Sequence, residues 1–212
     1  MIDPHIILAS TSPRRKDLLD LLGIPFEIIP PTASEKVHDQ ESPADHVCRL
    51  ALEKACSVAN HNPESLVIGS DTVIEIDTRI LGKPAHLEGA RDMLNRLRGR
   101  CHLVHTGVAL VYRANHLEKM WVETVRVWIK NFSDFVLENY LKTQDSLGKA
   151  GAYSIQGEGA YLIEKIEGDY PAVVGLPLMK LAKLLEKAGI TIPVKAEEIY
   201  RIKPYANWKD FS

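Results

Sequence analysis

Ile6-Ile7-Leu8-Ala9-Ser10-Thr11-Ser12-Pro13-Arg14-Arg15-Lys16-Asp17-Leu18-Leu19 is the stretch from which the fold and the candidate site are read. An apolar run short enough for a buried strand meets a Ser/Thr-rich turn, and Pro13 falls where the first turn of a helix begins. Ser12 is the natural N-cap. Leu18, Leu19, Leu21 and Leu22 then recur at helical spacing, and Gly23 ahead of Ile24-Pro25 ends the helix. Strand, tight turn and helix N-terminus together aim free backbone N–H groups and the positive end of the helix dipole at one spot, which favours an anion. Ser10, Thr11 and Ser12 add hydroxyls. Arg14, Arg15 and Lys16 place three cations where the dipole disfavours them, a conflict that a bound phosphate chain resolves. A solvated basic turn is the alternative.

The 212 residues can bury one sizeable core, as a single domain or as two lobes around a cleft. A hydrophobic content of 45% and a formal net charge of −2 describe an ordinary folded domain with no general attraction to nucleic acid or to an anionic membrane. Anion binding must therefore be local. No apolar run reaches the roughly 20 residues of a membrane span, and no secretory leader is read at the N-terminus, so a cytoplasmic location is expected. Cys48, Cys56 and Cys101 have neither disulfide nor zinc-site spacing and are read as core fillers.

Outward from the opening stretch, Phe26–Ile29 reads as a second strand and 30–40 as a loop carrying Glu35. Ser42-Pro43-Ala44-Asp45 starts a helix whose buried stripe is Val47, Leu50, Ala51, Ala55 and Val58, with Lys54 beside it. Leu66–Ser70 is a buried-type strand delivering Asp71-Thr72 at its end, where open α/β sheets bind ligands. Val73–Ile76 and Arg79–Leu81 flank Asp77-Thr78 as a hairpin that returns Gly82-Lys83-Pro84 towards Asp71. A helix is expected over 87–97, an antiparallel pair over 104–112 and 120–129, and a helix over 132–141. Lys149–Gly159 is a glycine-rich, ligand-facing loop. A strand over 160–166 and a helix over 178–187 complete the domain, 1–191, and 192–212 is expected as a loosely packed tail.

Glu35 and Asp71 with Arg14, Arg15, Lys54 and Lys83 suit metal-assisted hydrolysis of a phosphoanhydride: cations neutralise a phosphate chain, and carboxylates hold a divalent metal or orient water. Either acid could be the base. Lys83 is read as catalytic or as half of a structural ion pair. His102 and His105 lie on a strand without a third metal ligand at suitable spacing, and no nucleophile elbow supports acyl chemistry.

The sequence resembles the Maf family of nucleoside triphosphate pyrophosphatases over nearly all of residues 1–190. The matching stretches are Leu8–Arg15, Gly69-Ser70-Asp71-Thr72, Leu81-Gly82-Lys83-Pro84, Met93–Gly99, Lys149–Gly157 and Val174–Leu178. The resemblance implies an α/β fold of the ITPase-like kind, a twisted mixed sheet with flanking helices and two lobes around a cleft, often as a homodimer. It implies hydrolysis of a nucleoside triphosphate to the monophosphate and pyrophosphate with a divalent metal, usually magnesium, with manganese as the alternative. By position, Asp71 resembles the family's proton acceptor, and Ser10, Arg14, Glu35, Lys54 and Lys83 match its polar cleft residues. Asp71 and Glu35 would hold the metal; Arg15 would join the phosphate-binding cations.

Arg14, Thr72 and Gln156 are similar to the residues that mark the branch acting on dTTP and UTP. The branch acting on 7-methyl-GTP usually has Trp and Glu at the positions of Arg14 and Gln156. An amide both gives and accepts hydrogen bonds, which suits a neutral pyrimidine edge, whereas a carboxylate suits a cationic methylguanine. Two departures stand out. Gly148 replaces a common Asp, with Asp145 read as too distant to substitute, and Ser70 replaces a common Ala. The alternatives are a house-cleaning pyrophosphatase for modified nucleotides and a nucleotide-binding regulator of septum formation.

Overall fold

The computed structural model describes residues 4–34, 38 and 41–211. Strand β1, His5–Ala9, and helix α1, Pro13–Asp20, form where the opening stretch places them. Ile6 to Ala9 are all buried. A parallel strand covered on both faces needs no polar alternation, hence the unbroken apolar run. Ser12 occupies the N-cap of α1 with extended backbone, although its side chain caps no N–H.

The sheet continues with β2, Glu27–Ile28; β3, Ser65–Ile76; β4, Arg79–Leu81; β5, Cys101–Tyr112; β6, Leu117–Ile129; and β7, Ile163–Glu167. Strand order is β2-β1-β3-β5-β6-β7, with β4 paired to β3. The β2, β1 and β3 strands are parallel, and every other pairing is antiparallel, so the sheet is mixed. The Asp77-Thr78 turn has φ of 52° and 59° at its two central residues, the geometry that a two-residue hairpin requires.

Among the described residues seven further α-helices follow: α2, Pro43–Ala59; α3, Leu87–Leu97; α4, Asp134–Lys142; α5, Tyr170–Val174; α6, Leu178–Lys187; α7, Ala196–Ile202; and α8, Ala206–Asp210. Helix α2 covers one sheet face through Ala51, Ala55, Val58 and Ala59 against Ile7, Ala9, Val67, Ala109 and Val111. Its start is tied down by Glu41, whose carboxyl the Arg49 guanidinium holds at about 2. The opposite face carries the larger core, which includes Ile6, Leu8, Leu66 and Ile68 with residues of α1, α3, α4 and α6.

Three expectations are corrected. Asp71 does not end a strand, because β3 runs on to Ile76. The strand that ends there is β1, whose last residue, Ala9, pairs with Gly69. The polar run Ser70-Asp71-Thr72 survives within the sheet because its groups find partners. The cysteines do not fill the core: Cys48 and Cys56 flank the buried stripe of α2 and are half-buried, and Cys101 is exposed at the start of β5. Nor is the C-terminal segment loose. Ile190, Ile192, Ala196, Ile199 and Trp208 are buried, and the Val194 N–H donates to the Leu22 carbonyl at 3.2 Å. Its scattered aromatics are spaced to meet one another across two short helices, a pattern with no single period. No described helix is long and apolar enough to cross a membrane.

Asp169 precedes α5 and accepts from the Tyr200 hydroxyl at 2.7 Å. Burial raises its carboxyl to about 6, with the Tyr200 hydrogen bond acting the other way. An acid whose folded-state pKa is raised contributes stability below its unfolded value, near 3.8, and that contribution is lost as pH rises towards and through 6. Asp169→Asn keeps an acceptor for Tyr200 without the charge. It is expected to stabilise the protein by about 1–2 kcal/mol at pH 8 and by much less at pH 4. Melts at the two pH values check this, and equal shifts at both contradict it.

Candidate active site

Because β1 stops at Ala9 while β3 and β5 continue, a cleft of about 410 Å³ opens beyond the end of β1. That volume suits a small organic ligand. One wall is the Ser10–Arg15 turn with Lys54 of α2; the sheet supplies Asp71, Thr72, Ile74 and Val104. The far wall is Lys83 with 148–150 and Tyr153–Ile155, and Val173 and Val174 of α5 close the side. Of the residues selected from sequence, Ser10, Arg14, Arg15, Lys54, Asp71, Thr72 and Lys83 all line this cleft. Gln156 is half-buried immediately after the lining residues Ser154 and Ile155. Glu35 lies outside the described residues.

Inside the cleft Lys54 Nζ lies 2.6 Å from Asp71 Oδ1, with both residues buried. Two glycines make the contact. Gly69 and Gly107 face α2, and a side chain at either would collide with its backbone: an added Cβ at Gly69 would sit 2.8 Å from Ala55 N, and one at Gly107 2.8 Å from Cys48 N. The helix therefore seats directly on the sheet, and its Lys54 reaches Asp71. An ion pair in low dielectric holds its geometry because each partner would otherwise be an uncompensated buried charge.

Arg15 binds the protein itself. Its Nε donates to the Gly175 carbonyl at 3.0 Å, and its Nη2 donates to Thr72 Oγ1 at 3.1 Å. Thr72 in turn lies 3.0 Å from Thr106 Oγ1. Ser70, the departure from Ala, sends its hydroxyl towards the Gly107 and Gly175 carbonyls at 3.0 and 2.9 Å. These contacts join α1, β3, β5 and the turn after α5 into a rigid floor. Arg14 is different. It is half-buried, lines the cleft and makes no side-chain hydrogen bond or ion pair with a described residue.

The glycine-rich loop is fastened at several points. The Gly151 N–H donates to the Gly82 carbonyl at 3.1 Å, which fixes the backbone next to Lys83. Gly151 has φ of +65°, and an added Cβ there would lie 2.5 Å from Ile74 Cδ1. The Tyr153 hydroxyl meets His102 Nε2 at 2.7 Å. Burial lowers His102 to about 3, so this ring is neutral at physiological pH and acts as an anchor. Sequence reasoning missed the cation Lys149, which lines the cleft with Nζ 2.6 Å from Asp145 Oδ1. Gln144 and Gly148, both at positive φ, shape the turn in which Asp145 pairs with Lys149. The only signal was the i,i+4 spacing of the two charges.

Arg14, Arg15, Lys54, Lys83 and Lys149 thus face a cleft whose sole described carboxylate is Asp71. This field favours a polyanion. A family model described as Maf-like protein matches residues 5–188. The chain belongs to the Maf family. Two relatives show how near the likeness to known proteins is. A protein of Clostridioides difficile named dTTP/UTP pyrophosphatase is 47% identical over 86% of this chain and 94% of its own length. One of Bacillus anthracis with the same name is 42% identical over 88% and 97%. Among solved structures, the Staphylococcus aureus Ham1 protein aligns over 87% of this Maf chain and 99% of its own, with TM-score 0.49 and 15% identity.

Proposed function

We infer that this Maf protein hydrolyses nucleoside triphosphates, dTTP and UTP foremost, to the monophosphate and pyrophosphate. The observation that carries the reading is the buried Lys54–Asp71 pair, 2.6 Å long, set in a cleft otherwise lined with cations. A carboxylate held among cations beside a phosphate chain can take a proton from an attacking water, the role assigned here to Asp71. The names of the 42% and 47% identical relatives support the same substrates.

The triphosphate lies against the Ser10–Arg15 turn, where backbone N–H groups and the α1 dipole meet its charge. Arg14, Lys83 and Lys149 neutralise its outer oxygens. Asp71 accepts the proton as water oxygen bonds to the α-phosphorus and the α–β bridging bond breaks, and the electron pair leaves with pyrophosphate. Lys54 keeps the Asp71 carboxylate oriented throughout. Arg15 holds Ser10 and Thr72 in register beneath the phosphates.

Among the described residues no three His, Cys, Asp or Glu side chains cluster to cage a metal. The donor set suits a hard cation that arrives on the substrate and needs only one or two carboxylates from the protein. Asp71 and Glu35 would hold it, magnesium or manganese, and it would supply charge neutralisation on the phosphoryl oxygens.

Gln156 reads the base. Gln156→Glu replaces an amide that can pair with a neutral pyrimidine by an acceptor-only carboxylate. It is expected to lower kcat/KM for dTTP and UTP at least tenfold, the effect of about 1.4 kcal/mol, and to raise it for 7-methyl-GTP. A panel of dTTP, UTP, CTP, ITP and 7-methyl-GTP with magnesium tests this. Wild-type preference for 7-methyl-GTP or ITP would contradict the pyrimidine assignment.

A further inference from the structure

The family match ends at residue 188, yet the segment beyond it touches two walls of the cleft. Trp208, 3% exposed, stacks on Tyr170 with ring centroids 5.2 Å apart and meets Tyr200 edge-on at 5.0 Å. Tyr170 opens α5, whose Val173 and Val174 line the cleft. Beside Trp208, the Asn207 side-chain amide donates to the Ile155 carbonyl at 3.0 Å. Ile155 lines the cleft and immediately precedes Gln156.

The Ile155 carbonyl and the Gln156 N–H belong to one planar peptide unit. Asn207 holds the carbonyl end, and the Ser154 hydroxyl accepts from the Gln156 N–H at 3.3 Å. A plane pinned at both edges cannot rotate, so the direction in which Gln156 leaves the backbone is set. Removing one pin frees the peptide without disturbing the Tyr153–His102 anchor at the start of the loop.

We propose that Asn207, seated by the Trp208 aromatic stack, is a positioning residue for Gln156, which makes the C-terminal segment part of the nucleobase end of the cleft. The proposal rests on the reading of Gln156 as the base-contacting residue. Preorganising a recognition group raises affinity by cutting the ordering cost of binding. Its loss therefore appears in KM and in base preference, whereas turnover at Asp71 is untouched.

The test is steady-state hydrolysis of dTTP, UTP and GTP with magnesium, with thermal melts alongside. It compares wild type, Asn207→Ala, Gln156→Ala and Ile202→Ala, the last an exposed control on α7. Asn207→Ala is expected to raise KM for dTTP and UTP about fivefold, the net worth of one hydrogen bond, with kcat little changed. Its preference for dTTP over GTP shifts in the same direction as in Gln156→Ala, while Ile202→Ala stays at wild type. Where Asn207→Ala also lowers the melting temperature, Asn207→Asp, equal in shape but repelled by the carbonyl, is expected to give the same split between KM and kcat. Unchanged kinetics, or an equal loss for all three nucleotides, overturns the proposal. Preference lost in Gln156→Ala but kept in Asn207→Ala overturns the positioning role alone. Preference kept in Gln156→Ala overturns the reading of Gln156, and the proposal with it.

Discussion

Asp71→Asn is expected to lower kcat about 1,000-fold and to leave KM little changed, the pattern of a group that acts in the transition state. Asparagine occupies the same volume, and its carbonyl still accepts from Lys54, now 2.6 Å from Asp71 Oδ1. The fold should therefore persist. What disappears is the proton acceptor, since an amide oxygen is far too weak a base. The one remaining candidate read from sequence is Glu35, so the residual rate measures what that residue supplies. Single-turnover kinetics with dTTP, together with a melt, check the prediction. A variant that is well folded and retains more than a tenth of wild-type kcat would remove Asp71 from the chemistry.

The second large effect is on the scaffold. Gly107→Ala drives a methyl group into the Val47 carbonyl, with Val47 C at 2.5 Å and Cys48 N at 2.8 Å from the new carbon. Neither partner can yield cheaply. Gly107 pairs with Asp71 in the β3–β5 ladder, and Val47 lies in the second turn of the helix that carries Lys54. Overpacking a site built of two backbones is expected to cost about 4 kcal/mol or more, at the far end of what single substitutions do. For a chain of this size that is a fall of roughly 10 °C in melting temperature. Gly82→Ala is the control, because an added Cβ there meets nothing within 4 Å and its backbone needs no positive φ. Thermal or urea unfolding of the two variants distinguishes them. A Gly107→Ala protein as stable as Gly82→Ala would mean that α2 is not seated on glycine.

The same α2 contact marks the limit of what one sequence discloses. The strand, turn and helix around Ser12-Pro13 are legible because cap, proline and leucine spacing are local signals. Asp71 is selected as an acid at the end of an apolar strand, and it does line the cleft, although the strand that ends there is β1 and β3 runs on. That Lys54 would meet Asp71 could not be read, because the two are brought together by a helix lying on a sheet, and the sign of that approach is only the pair of glycines 69 and 107. The Asp145–Lys149 pair is visible only as the i,i+4 spacing of two charges, in a turn that Gln144 and Gly148 shape at positive φ. The C-terminal segment was misread for a related reason. Tyr200, Tyr205 and Trp208 follow neither a helical nor a strand period, and they become a cluster only around Tyr170. Helix α5 escaped notice because five residues are too few to show a period, although Asp169-Tyr170-Pro171 has the form of a capped start.

The measurement that tests the central claim most directly is phosphorus NMR of the products of dTTP turnover with magnesium in oxygen-18 water, for wild type and Asp71→Asn. Attack of water on the α-phosphorus with pyrophosphate as leaving group predicts equal amounts of dTMP and pyrophosphate, with the label in dTMP, and almost no product from the variant. Release of orthophosphate with dTDP, label in the pyrophosphate, or equal turnover by the variant would contradict it.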